Sequence, residues 1–318
     1  MASESARETS DRPAHLDPSE LGTKEYWESF YENSLSHLSS KNKHTSTKPE
    51  GKDEGEDEDE DQEYDSDYDS DNDSDPGTSW FSEYKAPEKV LGFLTSESFP
   101  LAPCNTSSSD EPPTILDLGT GNGSMLTMLR DKGGFTRSKM VGVDYSEKSV
   151  ELARQLLERS STGQTGGVGS IRFDVYDIFA SRAVEEEDWF PAAEDGFDIV
   201  LDKGTFDAVS LSAEEVPAEG KEGASTSGKS RRVQRRICES YPTAATRLVK
   251  PGGFLVVTSC NWTEDELVKW FTATYTTESE LSVWGRVEYV KFRFGGQEGQ
   301  GVCTVCFQRQ KPRAISSP

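Results

Sequence analysis

Apolar residues are unevenly spaced along this chain, and the period they follow changes from stretch to stretch. Within residues 114–129 it switches once: Ile115, Leu116 and Leu118 flank Asp117 over a strand length, a glycine-dense turn follows, and Met125, Met128 and Leu129 recur at helical intervals. This predicts strand, tight turn, helix. Residues 140–143 read as a second apolar strand closed by Asp144, with Ser146 starting the next helix and Glu147 in its first turn. Residues 171–175 and 197–201 read as the third and fourth strands. Residues 250–253 read as a turn, 254–257 as the fifth strand, and Thr263 as the cap of a further helix. Residues 287–292 and 302–307, joined by FGGQEGQG, are expected to close the domain as a hairpin that adds an antiparallel strand. The fold class expected is α/β, a doubly wound, mostly parallel sheet of the Rossmann-like kind.

Ahead of the first strand, Leu21, Trp27, Phe30, Tyr31, Leu35 and Leu38 recur at helical spacing behind Thr23, a suitable amino-terminal cap. Such an aromatic stripe fits either simple docking on the core or a lid over a ligand. Trp80 and Phe81 precede a second helix that carries Val90, Leu91 and Leu94 on one side and Pro87 in its first turn. Farther on, Arg231, Arg232, Arg235 and Arg236 are expected to open a helical stretch reaching Val249, kinked or restarted by Pro242. A basic helix face of this kind is more often solvated than bound to nucleic acid. The expected organisation is a polar tail (1–19), a docking helix (20–38), an acidic insertion (39–78), the main domain (79–310, with a flexible loop at 212–230) and a short tail (311–318).

The net charge of -24 sharpens this division, because sixteen of the 58 acidic residues lie in residues 50–75 against a single lysine. That run cannot bury enough apolar surface to offset its ordering cost and is expected to be disordered. Ser66, Ser70 and Ser74, each followed by acids, suit an acid-directed kinase. The rest of the chain stays acidic on balance, whereas neutralising phosphates requires clustered Lys and Arg, so nucleic acid is not the expected partner. No apolar run approaches the ~20 residues needed to cross a bilayer, and MASESARETS lacks the regions of a signal peptide. A cytoplasmic location, with the nucleus also open to it, is expected. The five cysteines are irregularly spaced, which suits reduced thiols. Cys303 and Cys306 form a lone C-x-x-C; in a strand their odd spacing puts them on opposite faces, and no second pair completes a zinc site, so no metal is expected.

Chemistry concentrates at the strand ends. Gly119, Gly121 and Gly123 make G-x-G-x-G, with Ser124 where the dinucleotide fingerprint needs its third glycine and Asp117 two places before the turn. A carboxylate there repels a pyrophosphate and welcomes a ligand with an ammonium and a sulfonium, which is S-adenosylmethionine. Asp144, about twenty residues on, sits where a ribose hydroxyl pair is held. Asp177 and Ile178 after the third strand could hold an adenine, although an aspartate capping its own loop explains the same residues. Asp202 emerges at the end of the fourth strand, the usual place for a catalytic group in an open sheet.

LGTKEYWESFY, Trp80-Phe81, ILDLGTGNG, VDYS, DKGTFDAVSL, TSCNWT and the FGG hairpin occur in an order that resembles the elongation factor 1-alpha lysine methyltransferases, the family of methyltransferase-like protein 10 and its fungal counterparts. The resemblance covers residues 21–38 and 79–308 and implies the seven-stranded class I methyltransferase fold. It implies that Asp117 lies near the methionine amino group, that Gly119, Thr120, Gly121, Asn122 and Gly123 line the cofactor, that Asp144 and Tyr145 meet the ribose end, that Asp177 and Ile178 lie by the adenine, and that Asp202 heads the loop beside the methyl group. Asp202 and Asn261 are expected to orient the substrate amine, with Phe206 and Trp262 as walls and Trp27 and Tyr31 closing over the cofactor. The implied activity is S-adenosylmethionine-dependent protein-lysine N-methylation of elongation factor 1-alpha by a monomer. A small-molecule or RNA methyltransferase on the same fold, or a binding module without catalysis, are the alternatives. DKGTF in place of N/D-P-P-Y/F at the fourth strand counts against adenine or glutamine as the acceptor. The chain departs from shorter family members in its acidic insertion, its 212–230 loop and Pro242, which bear on how the first helix covers the site.

Overall fold

The structure is a computed structural model that describes residues 13–45, 81, 84–160, 169–217, 234–273, 280–294 and 297–311. Among the described residues one seven-stranded sheet is formed by β1 (Ile115–Leu118), β2 (Met140–Asp144), β3 (Ile171–Val175), β4 (Phe197–Lys203), β5 (Val249–Ser259), β6 (Leu281–Val287) and β7 (Cys303–Arg309), in spatial order 3-2-1-4-5-7-6. β7 runs antiparallel to both of its neighbours, and the other pairings are parallel. The doubly wound α/β expectation holds.

Alternate residues of each strand feed opposite sides of the sheet. On one side α2 (Ala86–Leu94), α3 (Ser124–Asp131) and α4 (Glu147–Ser160) bury Val90, Leu94, Met125, Leu129, Val150 and Ala153 against Ile115, Met140, Ile199 and Leu201. On the other, α5 (Thr205–Ser210), α6 (Tyr241–Arg247) and α7 (Glu264–Thr272) pack Phe206, Tyr241, Leu267 and Trp270 onto Leu116, Leu118, Val143, Val200 and Val257. Local signals set the helix starts as expected. Ser146 Oγ accepts from Ser149 N, and Thr263 forms a reciprocal capping box with Glu266. The first helix, α1 (Lys24–Thr45), lies along α4, with Tyr31, Leu35 and Leu38 packed against Leu152.

Four expectations need correction. First, α1 runs past Leu38 to Thr45, because no breaker intervenes, and the Ser39 and Ser40 hydroxyls donate to the Leu35 and Ser36 carbonyls within it. Second, the turn expected at 250–253 lies inside β5 as a bulge, where the pairing steps from Phe197 with Val249 to Ile199 with Phe254. Third, the closing pair is β6 with β7, while Phe292–Phe294 and Gln297–Gly299 make a separate small ribbon. β6 was hidden because an edge strand that is only half-buried shows no apolar run. Fourth, Gln234–Arg236 is a strand paired with Glu215–Pro217, and the helix starts only at Tyr241, with Pro242 in its first turn.

Cys303 and Cys306 do face opposite sides, one in each hydrophobic cluster. Trp80, Arg231, Arg232, most of the expected acidic insertion with Ser66, Ser70 and Ser74, and most of the 212–230 loop lie outside the described residues.

Candidate active site

The strand order reverses between β1 and β4, and the carboxyl ends of these two parallel strands frame the crevice where open α/β sheets take their ligands. The glycine turn leaves β1 there. Gly119, Gly121 and Gly123 all have positive φ (69°, 57° and 74°), a conformation that strains any residue with a side chain. Space adds to strain, since a Cβ on Gly119 would lie 2.1 Å from Thr205 Oγ1 and one on Gly121 would lie 2.8 Å from the Tyr31 hydroxyl. The turn is held shut by Gly119 N and Thr120 N, both donating to the Val143 carbonyl.

Pairing register decides which way each acid faces. Asp117 is level with Gly142 on β2 and with Leu201 on β4, so Asp144 and Lys203, two residues farther along, share its side of the sheet. Asp117 is buried and receives the Thr120 hydroxyl on Oδ2 at 2.8 Å, while Oδ1 takes no donor among the described residues. Burial raises its carboxyl above the ordinary range, with the Lys203 ammonium pulling the other way. Asp144 receives Gly121 N on Oδ2 and Ser146 N on Oδ1, both at 3.0 Å, so it ties the glycine turn to the start of α4. Thr120 and Gly123 shape the turn, and Asn122 Oδ1 accepts from Ser124 N to start α3.

The amino-terminal helix reaches this cradle. Its Glu28 carboxylate accepts from Glu147 N and Lys148 N in the first turn of α4, docking α1 beside the site. Tyr31 is thereby set over Gly121, and Trp27 stacks on it at 6.1 Å while giving its indole N–H to the Leu21 carbonyl. Docking of α1 therefore brings Tyr31 against the glycine turn. Tyr145, half-buried at the end of β2, donates to the Thr23 carbonyl. Asp177 is exposed and its Oδ1 caps its own loop through Phe179 N, with Ile178 half-buried beside it.

Asp202 is not where it was expected. It faces the opposite side from Asp117, is 1% exposed, receives Thr205 N and Phe206 N on Oδ1 and the Tyr241 hydroxyl on Oδ2, and so sets the β4–α5 turn. Burial pushes its carboxyl up to about 7 despite those three donors. Phe206 is likewise core, fully buried between Tyr241 and Trp262. Trp262 is buried too, its indole N–H on Ser210 Oγ. Asn261 is exposed at the carboxyl end of β5, on a turn held by Asp207. Asp207 is a site-shaping residue that sequence reasoning passed over: its carboxylate receives the Ser259 hydroxyl at 2.5 Å and Cys260 N at 2.9 Å.

These residues fit S-adenosylmethionine. An acid with a spare oxygen suits an ammonium, a side-chain-free turn lets the ligand lie against backbone, and a second acid stands at the end of the neighbouring strand. The donor would supply an electrophilic methyl group on a sulfonium.

Comparison with known proteins agrees. Residues 109–298 match the family model described as a methyltransferase domain. The chain is 32% identical to protein-lysine N-methyltransferase EFM4 of Saccharomyces cerevisiae across 93% of this chain and 98% of that protein. It is 29% identical to protein-lysine N-methyltransferase efm4 of Schizosaccharomyces pombe across 92% and 95%. With human EEF1A lysine methyltransferase 2 it shares 27% identity across 92% and 88%. Since the likeness to EFM4 runs almost end to end in both chains, the chain belongs to the methyltransferase family that contains EFM4 and EEF1A lysine methyltransferase 2.

Proposed function

We propose that this protein is an S-adenosylmethionine-dependent protein-lysine N-methyltransferase whose substrate is elongation factor 1-alpha. The observation that carries the reading is the match to EFM4 across nearly the full length of both chains. Asp117 would hold the α-ammonium of the donor through its open Oδ1, Gly119 to Gly123 would lie against its length, and Asp144 with Tyr145 would stand at the ribose. Asp177 and Ile178 would flank the adenine, and Trp27 and Tyr31 would cover it. The acceptor lysine needs help of another kind. With a reference pKa of ~10.4, fewer than one amine in a thousand is neutral at pH 7, so the site must favour the uncharged form and aim its lone pair. Asn261, exposed on the turn that Asp207 braces, would orient that amine. Asp202 acts at one remove, by fixing the turn that carries Lys203, Gly204 and Thr205.

Working as a monomer in the cytoplasm on a protein and not on nucleic acid completes the reading. Among the described residues no helix is long and apolar enough to cross a membrane. Incubation with labelled S-adenosylmethionine and lysate of cells lacking this protein tests it. One labelled protein the size of elongation factor 1-alpha, with methyl-lysine found by mass spectrometry, is expected; label in RNA, or none, would refute it.

A further inference from the structure

The cradle also contains a cation, Lys203. Lys203 ends β4 on the side of the sheet that carries Asp117 and Asp144, across the switch point from Asp117. It is half-buried, and burial draws its ammonium down while Asp117 and Asp202 hold it up. The ammonium lies 5.9 Å above the Phe81 ring, and among the described residues it makes no hydrogen bond or close ion pair. The ring is held there at some cost: Phe81 has φ 67°, and a Cβ on Gly204 would come within 3.0 Å of it. A half-buried ammonium with three unspent donors invites an anionic acceptor.

The charge of the donor identifies which anion. A cation beside a sulfonium weakens binding unless it meets the one anionic group that the molecule carries, its α-carboxylate. That carboxylate is one carbon away from the α-ammonium. A matching site needs an anion and a cation side by side, and Asp117 with Lys203 provides the pair. We propose that Lys203, set at the β1–β4 switch point opposite Asp117, binds the methionine carboxylate of the cofactor and makes the site specific for the intact amino-acid head.

The proposal rests on the cofactor reading above, and one titration series separates the two. S-adenosylhomocysteine carries the same head without the sulfonium charge; its decarboxylated analogue keeps the ammonium alone. Calorimetry with the full chain is expected to give wild-type protein a tenfold to hundredfold preference for the intact compound, the usual weight of a charge-assisted hydrogen bond. Lys203→Met should lose that factor for S-adenosylhomocysteine and bind the decarboxylated analogue as wild type does, so that the preference disappears. Lys203→Arg should restore most of it. Equal weakening of both ligands in Lys203→Met, or a preference that survives in it, overturns the proposal. So does wild-type protein that binds both ligands equally, a result that does not depend on any variant folding. Wild-type protein that binds neither ligand sinks the cofactor reading and this proposal with it.

Discussion

Two pairs of buried carboxylates stand back to back at the carboxyl ends of the central strands, and the donors that fill them differ. Asp202 and Asp207, on the side of α5 to α7, are filled by protein donors: two amides and a tyrosine hydroxyl on one, a serine hydroxyl and the Cys260 amide and thiol on the other. Asp144, on the side of α2 to α4, spends itself on two amides that shape the glycine turn, while Asp117 is left with one donor and one open oxygen. Burial raises the carboxyl of all four. Perturbation therefore does not set any one of them apart. Unspent accepting capacity singles out Asp117, and of the other three only Asp144 shares its side of the sheet.

The largest expected effect lies on the filled side and appears as a dependence of stability on pH. Asp202 is raised to about 7 in the folded protein against ~3.9 unfolded, so between those values the native state holds the proton more tightly. Its contribution is fully present below pH ~4, falls as pH rises, and is exhausted above pH ~7, a swing of about 4 kcal/mol. Asp202→Asn keeps an acceptor for Thr205 N and Phe206 N and abolishes the swing. Urea unfolding of both proteins from pH 4 to pH 8 gives the difference, from which the other raised acids, common to both, cancel; parallel curves would show that Asp202 stays ionised throughout.

On the open side the prediction concerns binding and not folding. Asp117→Ala removes the carboxylate with the free oxygen and should weaken S-adenosylhomocysteine about a hundredfold, roughly 3 kcal/mol, by calorimetry. Among the described residues the only hydrogen-bond partner it loses is the Thr120 hydroxyl, so the unfolding midpoint should move little. Asp207→Ala should do the reverse. It strands the Ser259 hydroxyl and Cys260 N in a buried place, at a cost of roughly 2 to 3 kcal/mol in urea, with kcat falling as the Asn261 turn loosens and the affinity for S-adenosylhomocysteine retained. A protein in which both substitutions cost affinity alike would erase the distinction between the two sides.

What could be read from the sequence follows the same line. The β1 turn, the Ser146 and Thr263 caps and the opposed faces of Cys303 and Cys306 are decided within a few residues, and each is present as read. The roles of Asp202 and Lys203 are decided by parity. Ending the fourth strand at Leu201 brings Asp202 forward as the strand-end acid, but β4 continues to Lys203, and its register with β1 turns Asp202 to the far side and Lys203 to the cradle. That register is a property of the neighbouring strand and leaves no local trace. Asp207 was missed for a similar reason: an acid in a short helix is unremarkable until β5 delivers Ser259 and Cys260 to it. Phe206 and Trp262 look like pocket walls in a motif and prove to be core, because aromatic side chains are large enough to serve as either.

The smallest effect tests what covers the open side. Glu28 caps the first turn of α4 from α1, a charge-assisted arrangement at a helix amino terminus, and its loss should cost about 1 kcal/mol. The same contact sets the position of Tyr31 over Gly121, so loosening it should let the tyrosine leave the turn more often. Glu28→Ala is therefore expected to raise the dissociation rate of S-adenosylhomocysteine a few-fold, measured by stopped-flow displacement, while the association rate stays near that of wild type. Tyr31→Phe keeps the ring and the dock and should leave the rate nearly unchanged. If Glu28→Ala lowers stability by the stated amount and the dissociation rate does not move, α1 is a dock whose tyrosine merely rests near the turn, and the cover over the donor must be sought in the segment that precedes it, where Arg236 gathers the Leu16, Ser210 and Ser212 carbonyls.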